Sequence, residues 1–596
     1  MSKVEQYNPL ESLAIGGTEI VPSGLIVVVG PNSSGKTLLL RDIEKFLLVG
    51  RPGGVVCTDV TTKPPDDLVD FVRSLEDGNH LRSIPGAKQG TYQSSLPYLS
   101  GVPRHGVTKD NFTTDLLSKA WNNFNSEKNA NNHEFFRMVG ISLVGYLSLD
   151  ARRAVCAPAA RMDIVANSPD LPIQGLQLHS EAIDLLMKET GRVFGNTVWL
   201  DVTDNSWYRL RVSGTGEPPS IGEMHNSHRV KRYREIVEAG DGIQSYSAIC
   251  ISMMLGRRPV LLIDEPELCL HPPQAYQMGR FIGEHANRQQ AVFVATHSSH
   301  VLKGILDTGG NTQIVRMNHV QEQFSAHVLQ NLHLREAVRN PRSRAESVLD
   351  GVFAKSVIVV ESDGDREIYQ AACEATYEYP SQEIQFVTVG GTGGFAEVCR
   401  LFHALRVPTS VIADLDILVD VDKVEATLEA LSGGPVQAFM SLLKDTVQRL
   451  KALPPEILEA HVKSELQAVA NMDFEWKAGG DNVLRRKLNE IEKKVKRVNR
   501  LKNGGISAYE FLPDIHASLT RCVEDAAKLG LFLVPCGELE DWVPHLMQDC
   551  TVSSKTQRAY YAAEMIRTST PLEGDIWGFT KKVLHYLRVG AIQKNT

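Results

Sequence analysis

The sequence predicts two successive α/β domains, each a mostly parallel sheet covered by helices. Three observations carry that reading. Short β-branched runs alternate with helix-patterned stretches in both halves of the chain. The clearest runs of the first half, Leu25–Val29, Val260–Ile263 and Val292–Ala295, are apolar throughout, as strands covered on both faces must be. Several runs end in a glycine loop or an acidic pair, which puts the reactive side chains where parallel strands stop.

Size and composition agree. The chain has 596 residues, too many for one core at about 150 residues per domain. Apolar residues at 42% and charged residues at 22% exclude disordered and fibrous classes. The 63 basic and 71 acidic residues give a net charge of −8, which excludes a uniformly basic nucleic-acid coat but allows a local basic groove. No apolar run approaches the roughly 20 residues that span a bilayer, so no membrane partner is expected. The opening MSKVEQYNPL lacks the pattern of a secretory signal. Nine scattered cysteines without C-x-x-C argue against a disulfide scaffold and for a reducing cytoplasm.

The first domain is expected over 1–340, with roughly 112–235 as an inserted or dimerisation segment. That segment holds a helix near Ala182–Thr190 and a β-hairpin, VWLDVTDNSWYRLRV, turning at Thr203–Ser206. Asn340–Ser343 reads as the linker, because Asn-Pro favours a turn. The second domain is expected over 350–596, with strands Val357–Val360, Gln385–Val389 and Ser410–Ala413. Helices Asp365–Thr376 and Phe395–Leu405 separate them. Roughly 421–529 is charged, Leu/Ala-rich and strand-poor, and reads as a helical insertion before a last strand, Leu531–Val534.

Four segments of the first half point to a nucleotide. Gly30-Pro-Asn32-Ser33-Ser34-Gly35-Lys36-Thr37 fits G-x-x-x-x-G-K-[ST] between a strand and a helix. Its glycines let backbone N–H groups turn toward phosphate, and the helix start adds its positive end. Lys36 is expected on the β/γ-phosphates and Thr37 on Mg²⁺. The strand of VLLIDEPELCLHP delivers Asp264 to hold the Mg²⁺ through water and Glu265 to polarise the attacking water. VFVATHSSH delivers His297 as a γ-phosphate sensor. AGDGIQSYSAI starts a helix with Gly240, Gly242 and Ser245, a helix start able to clamp the nucleotide of another subunit. These four segments together resemble the ABC-type ATPase heads of the RecF/SMC-related branch. The resemblance implies ATP as the nucleotide and a homodimer or higher homo-oligomer through paired heads.

The second half collects carboxylates. Glu361 follows one strand and Asp365 lies four residues on; Asp414 and Asp416 end another; Glu538 and Glu540 follow a third. On a strand, residues two apart share a face, so Asp414 and Asp416 are expected to converge. Oxygen-only ligands favour Mg²⁺ or Mn²⁺, and two such ions about 4 Å apart hydrolyse phosphodiesters. The E-x-x-x-D, FVTVGGTGGF and D-x-D sequence resembles a Toprim domain, with Gly390, Gly391 and Gly393 turning beside the metals. Ser362 stands where the usual motif has glycine.

An ABC-type head followed by a Toprim domain resembles the overcoming-lysogenization-defect (OLD) family of ATP-dependent endonucleases. The resemblance covers both ends of the chain and fades in 50–230 and 421–529. It implies an ATP-gated, metal-dependent nuclease with DNA preferred over RNA as target, a role in antiphage defence, and an accessory protein as a further partner. It also implies a metal site of Glu361, Asp365, Asp414, Asp416 and Glu540, with Glu538 as second choice. A basic residue near the C-terminus, Lys581 or Lys582, would face the scissile phosphate. The basic stretch Arg485–Lys502 is equally a path for a nucleic-acid backbone and an exposed charged helix. An RNA or tRNA nuclease and a nucleotide-sensing scaffold for a separate effector remain as alternative functions.

Overall fold

A computed structural model describes residues 7–50, 54–77, 81–84, 86–94, 112–126, 133–163, 169, 171–215, 219–255, 258–286, 291–330, 346–376, 384–472, 483–485, 487–488, 491, 499–537, 542–543, 547, 554–571 and 575–593. The chain divides into two compact units, Met1–Leu332 and His333–Thr596. The expected linker at Asn340–Ser343 lies outside the described residues.

In the first unit the apolar runs form β1 (Gly24–Val29), β2 (Val144–Leu147), β5 (Val260–Asp264), β6 (Ala291–Ala295), β7 (Thr312–Val320) and β8 (Gln323–Gln330). They make one sheet in the order β8-β7-β1-β6-β5-β2. All neighbours are parallel except the β7–β8 pair. Asp264 pairs with Ala295 and Ala295 with Val28. One sheet edge therefore carries the ends of β1, β5 and β6. Helix α1 (Lys36–Val49) starts at Gly35 and buries Leu39, Leu40, Ile43, Phe46 and Leu47. They join Ile26, Val28, Phe135 and Phe136 in the core on that side of the sheet.

The stretch read as an insertion, 112–235, is only partly one. Its strand β2 is the edge strand of the central sheet, paired to β5 through Leu147↔Ile263. Strand β2 and α2 (Leu149–Val155) thus belong to the core layers, and their four-residue strand was too short for its periodicity to separate it from a buried helix turn. The remainder holds α3 (Ser180–Phe194) and the hairpin, formed by β3 (Val198–Asp201) and β4 (Trp207–Val212) in antiparallel register.

The second unit has a four-stranded parallel sheet in the order β10-β9-β11-β12: β9 (Ser356–Val360), β10 (Ile384–Thr388), β11 (Thr409–Asp414) and β12 (Leu531–Val534). Helix α7 (Asp363–Ala375) follows β9 and α8 (Phe395–Ala404) precedes β11. Between β11 and β12 the regular elements among the described residues are helices: α9 (Val421–Ser432), α10 (Gln437–Lys451), α11 (Pro455–Ala470), α12 (Asn499–Gly504) and α13 (Pro513–Lys528), with short 3-10 turns. Helices α14 (Lys555–Thr568) and α15 (Ile576–Gln593) pack on α7, burying Ala559, Ala563, Trp577 and Leu584 beside Ile368 and Tyr369. Among the described residues no helix is long and apolar enough to cross a membrane.

Candidate functional sites

At the first sheet edge, glycine is required where the loop after β1 turns. Gly30 has φ +140°, and a Cβ there would stand 2.3 Å from the Met317 carbonyl oxygen; one on Gly35, φ +93°, would stand 2.7 Å from the Phe324 ring. Asn32 and Ser33 are exposed, while Ser34, Gly35 and Lys36 are buried. Lys36 folds back, its Nζ donating to the carbonyls of Gly30 at 2.9 Å and Pro31 at 2.8 Å. Burial pulls the ammonium down to about 8, against the neighbouring carboxylates that favour its charge.

Asp264 ends β5 and is held from two sides. Thr37 donates its hydroxyl to Oδ1 at 2.9 Å, and Tyr146, from β2, donates to Oδ2 at 2.9 Å. Glu265 adopts φ +46°, a left-handed conformation that costs a non-glycine residue about 1–2 kcal/mol. Two main-chain bonds hold it there: its N–H donates to Ala295 O at 2.8 Å, and its carbonyl accepts from Arg152 at 3.1 Å. Its Oε1 lies 3.1 Å from His297 Nε2. Burial, with Lys36 nearby, lowers His297 to about 4, while burial and Asp264 raise Glu265. At neutral pH the imidazole is therefore neutral, and the pair is a hydrogen bond rather than an ion pair. Glu267 is raised by its burial and accepts from the His297 N–H at 2.6 Å and the Thr296 hydroxyl at 2.8 Å, fixing the turn that presents the histidine.

Ser245 departs from expectation. It lies in α4 (Asp241–Leu255) at 1% exposure, with its hydroxyl accepting from Arg152 at 2.9 Å. In this chain the Ser245 hydroxyl is buried against the arginine, whereas Gly240 is exposed, with Asp241 and Gly242 half-buried. Gly242 also packs on Cys269, where a Cβ would come within 2.4 Å of the carbonyl oxygen. Arg152, fully buried, joins this helix to β5, since its other nitrogen donates to Asp264 O at 2.9 Å. The sequence reading missed Tyr146, Arg152 and Glu267; Glu267 stood in the quoted motif, but the first two had no local signal.

At the second edge, β9 ends just before Glu361, whose carbonyl accepts from the N–H groups of Gly390 (3.0 Å) and Gly391 (3.3 Å). Both glycines have positive φ, +65° and +124°, so the glycine run turns back onto the acidic strand end. Ser362 is the N-cap of α7. Its N–H and hydroxyl donate to Asp365 Oδ2 at 2.8 and 2.9 Å, a capping box that explains serine at this position. Asp365 thus serves the helix end as well as facing the cluster. Asp416 does not lie on β11: the strand stops at Asp414, and Asp416 sits in a 3-10 turn, Leu415–Val419. The turn, rather than strand alternation, brings it in.

Asp414 is half-buried. Burial first, then Asp365, Asp416 and Glu361, push its carboxyl up to about 7, with Lys502 opposing. Four carboxylates thus act on one another at the joined ends of β9 and β11. Among the described residues no group of three or more His, Cys, Asp or Glu forms a ready metal cage. Glu538 and Glu540, expected to complete the set, lie outside the described residues. Lys581 and Lys582 are exposed on α15 and are not among the main charges acting on Asp414. The cation that is, Lys502, lies at the end of the basic stretch, most of which is outside the described residues.

Known proteins bear on both edges. The family model for the overcoming lysogenization defect protein-like TOPRIM domain matches residues 352–416, and that for an AAA domain, putative AbiEii toxin, Type IV TA system, matches 25–303. A curated OLD nuclease of Thermus scotoductus is 23% identical over 437 residues, covering 66% of this chain and 78% of that protein. The SMC head domain from Thermotoga maritima is 12% identical over 54% of this chain and 100% of that one, at TM-score 0.26. The C-terminal region of the Xanthomonas campestris pv. campestris OLD protein is 16% identical over 40% of this chain and 97% of that one, at TM-score 0.20. The sequence matches define an enzyme with an ATPase domain followed by a Toprim nuclease domain. Together the matches support an ATPase–Toprim protein similar to the OLD family.

Proposed function

We propose that this protein is an ATP-gated endonuclease that hydrolyses DNA with two divalent cations, Mg²⁺ or Mn²⁺, and that it acts in antiphage defence. The observation that carries the nuclease reading is the crowding of Glu361, Asp365 and Asp416 around half-buried Asp414. All the donors are carboxylate oxygens, which suits hard divalent ions. The half-protonated state of Asp414 without a cation is the mark of a charge that a cation would satisfy. Glu361, Asp365, Asp414 and Asp416 would hold the ions, with Glu538 and Glu540 from the third strand. Bound ions of this kind activate a water and steady the leaving oxygen of a phosphodiester. The chain's part is to bring the donors to one sheet edge and to shed the Asp414 proton.

At the ATPase edge, Lys36 would leave the Gly30 and Pro31 carbonyls for the β/γ-phosphates, and Thr37 and Asp264 would share Mg²⁺. The neutral His297 and Glu265 would orient the attacking water. A paired head would present Gly240–Gly242 to the partner's nucleotide, making a homodimer the smallest active unit. The test is plasmid cleavage by the full-length protein with Mg²⁺ or Mn²⁺, with and without ATP, beside labelled duplex DNA and tRNA. Metal-dependent DNA cutting, lost in Asp414→Ala and Glu361→Ala, supports the reading. Cutting that survives both substitutions overturns it, and cutting confined to tRNA moves the substrate to RNA.

A further inference from the structure

We infer that Lys502, on α12 of the helical insertion, is a substrate-binding residue of the nuclease site that takes the phosphate beside the scissile bond. Its Nζ lies 3.8 Å from Asp416 Oδ2, with both side chains about a third exposed at 37% and 34%. An exposed lysine beside a carboxylate usually counts for little, since both ends move. Here the backbone behind Lys502 is pinned. Leu501 is buried at 2%, and α12 packs on the 3-10 turn that carries Asp416. Two glycines then fasten α12 to the loop after β12. The Ile506 N–H donates to Pro535 O at 2.9 Å. Gly505 has φ +59°, and a Cβ there would come within 2.0 Å of that same oxygen. Gly537 has φ +102°, and a Cβ on it would come within 2.3 Å of the Lys502 carbonyl oxygen. No side chain fits between the helix and the loop, so the lysine backbone keeps its place relative to β11 and β12.

Charge gives the function. Glu361, Asp365, Asp414 and Asp416 carry four negative charges when ionised, and with Glu538 and Glu540 the proposed ligand set carries six, two more than a pair of divalent cations would cancel. A neutral centre does not attract a polyanion. A negative one repels it, and Lys502 offsets part of that excess at the rim of the cluster, where a strand of nucleic acid would arrive. The inference rests on the nuclease reading above. It also gives a role to the insertion, which returns to the sheet edge instead of projecting away from it.

The experiment compares the wild-type full chain with Lys502→Ala, Lys502→Arg and Asp414→Ala. Binding to a short DNA duplex and to tRNA is measured in Ca²⁺ over a salt series, and plasmid nicking over a Mn²⁺ series. Lys502→Ala is expected to weaken binding roughly tenfold and to lower the log–log salt slope by about 0.9 for duplex or about 0.7 for a single strand, with Lys502→Arg close to wild type. The half-saturating Mn²⁺ concentration stays within twofold. Unchanged affinity and slope overturn the inference. So does a lower half-saturating Mn²⁺ with full cutting at saturation, which would make the lysine only a counter-ion to Asp416. If Asp414→Ala still cuts, the nuclease reading itself fails; if it is inactive while Lys502→Ala binds as wild type, only the role of Lys502 fails.

Discussion

The two sheet edges solve the same problem in opposite ways. Each gathers carboxylates where parallel strands end, but the ATPase edge supplies their partners from its own polypeptide. Asp264 is bonded by Thr37 and Tyr146, Glu267 by Thr296 and the His297 backbone, and Glu265 is pinned through its main chain. At the Toprim edge Asp414 is half-buried among three like charges, and its carboxyl rises to about 7. A group of acids bonded from within needs a nucleotide to rearrange it. An acid crowded by like charges ionises only above the usual carboxylate range unless cations from outside offset the repulsion. The difference teaches that metal dependence is visible as unsatisfied charge before any metal is bound.

The sharpest way to break this comparison is Asp414→Ala, expected to lower metal-dependent cleavage on the order of a thousandfold with ATP turnover unchanged. An equal loss of both activities would show that the edges are not separate sites. Lys36→Ala should do the reverse. Nucleotide affinity, measured by calorimetry, is expected to fall roughly 10- to 100-fold, with cleavage in the absence of ATP retained.

The third prediction concerns pH. Asp414 has its folded pKa raised from 3.8 to about 7, so between those values the folded state holds a proton that the unfolded chain has lost. Stability of the metal-free protein contributed by this group is full below pH 3.8 and is lost as pH rises through 7. Thermal unfolding of metal-free wild type should therefore weaken from pH 5 to about pH 8 relative to Asp414→Asn, by a few kcal/mol at most. Added Mn²⁺ should cancel the trend, and parallel wild-type and variant curves would remove the buried-charge argument. The smallest effect belongs to Tyr146→Phe. Removing one of two donors to Asp264 should weaken Mg²⁺-nucleotide binding by about 1–2 kcal/mol without touching cleavage. A loss as large as that of Lys36→Ala would mean that Tyr146 does more than orient the aspartate.

Much of the layout was legible from pattern alone. The continuous apolar runs became β1, β5, β6, β9, β11 and β12, and the period-two stretch around Thr203–Ser206 became the β3–β4 hairpin. The acidic and glycine positions could be named because their chemistry is local: a phosphate loop needs glycines at fixed spacing, and a strand end presents whatever residue comes next. Strand β2 was hidden because four apolar residues, VGYL, carry no period, and its neighbour β5 lies more than a hundred residues later.

What the amino-acid order determined by itself was therefore the class: two parallel α/β layers, a phosphate loop, and carboxylates at strand ends. The tertiary structure decided which of those residues work together. It turned Ser245 inward onto Arg152, moved Asp416 from a strand to a turn, made Asp365 a capping-box partner as well as a cluster member, and brought Lys502 to the acidic edge. The reason is physical. Backbone preferences and periodicity act over a few residues, whereas desolvation and charge–charge coupling depend on distances that only the folded chain defines.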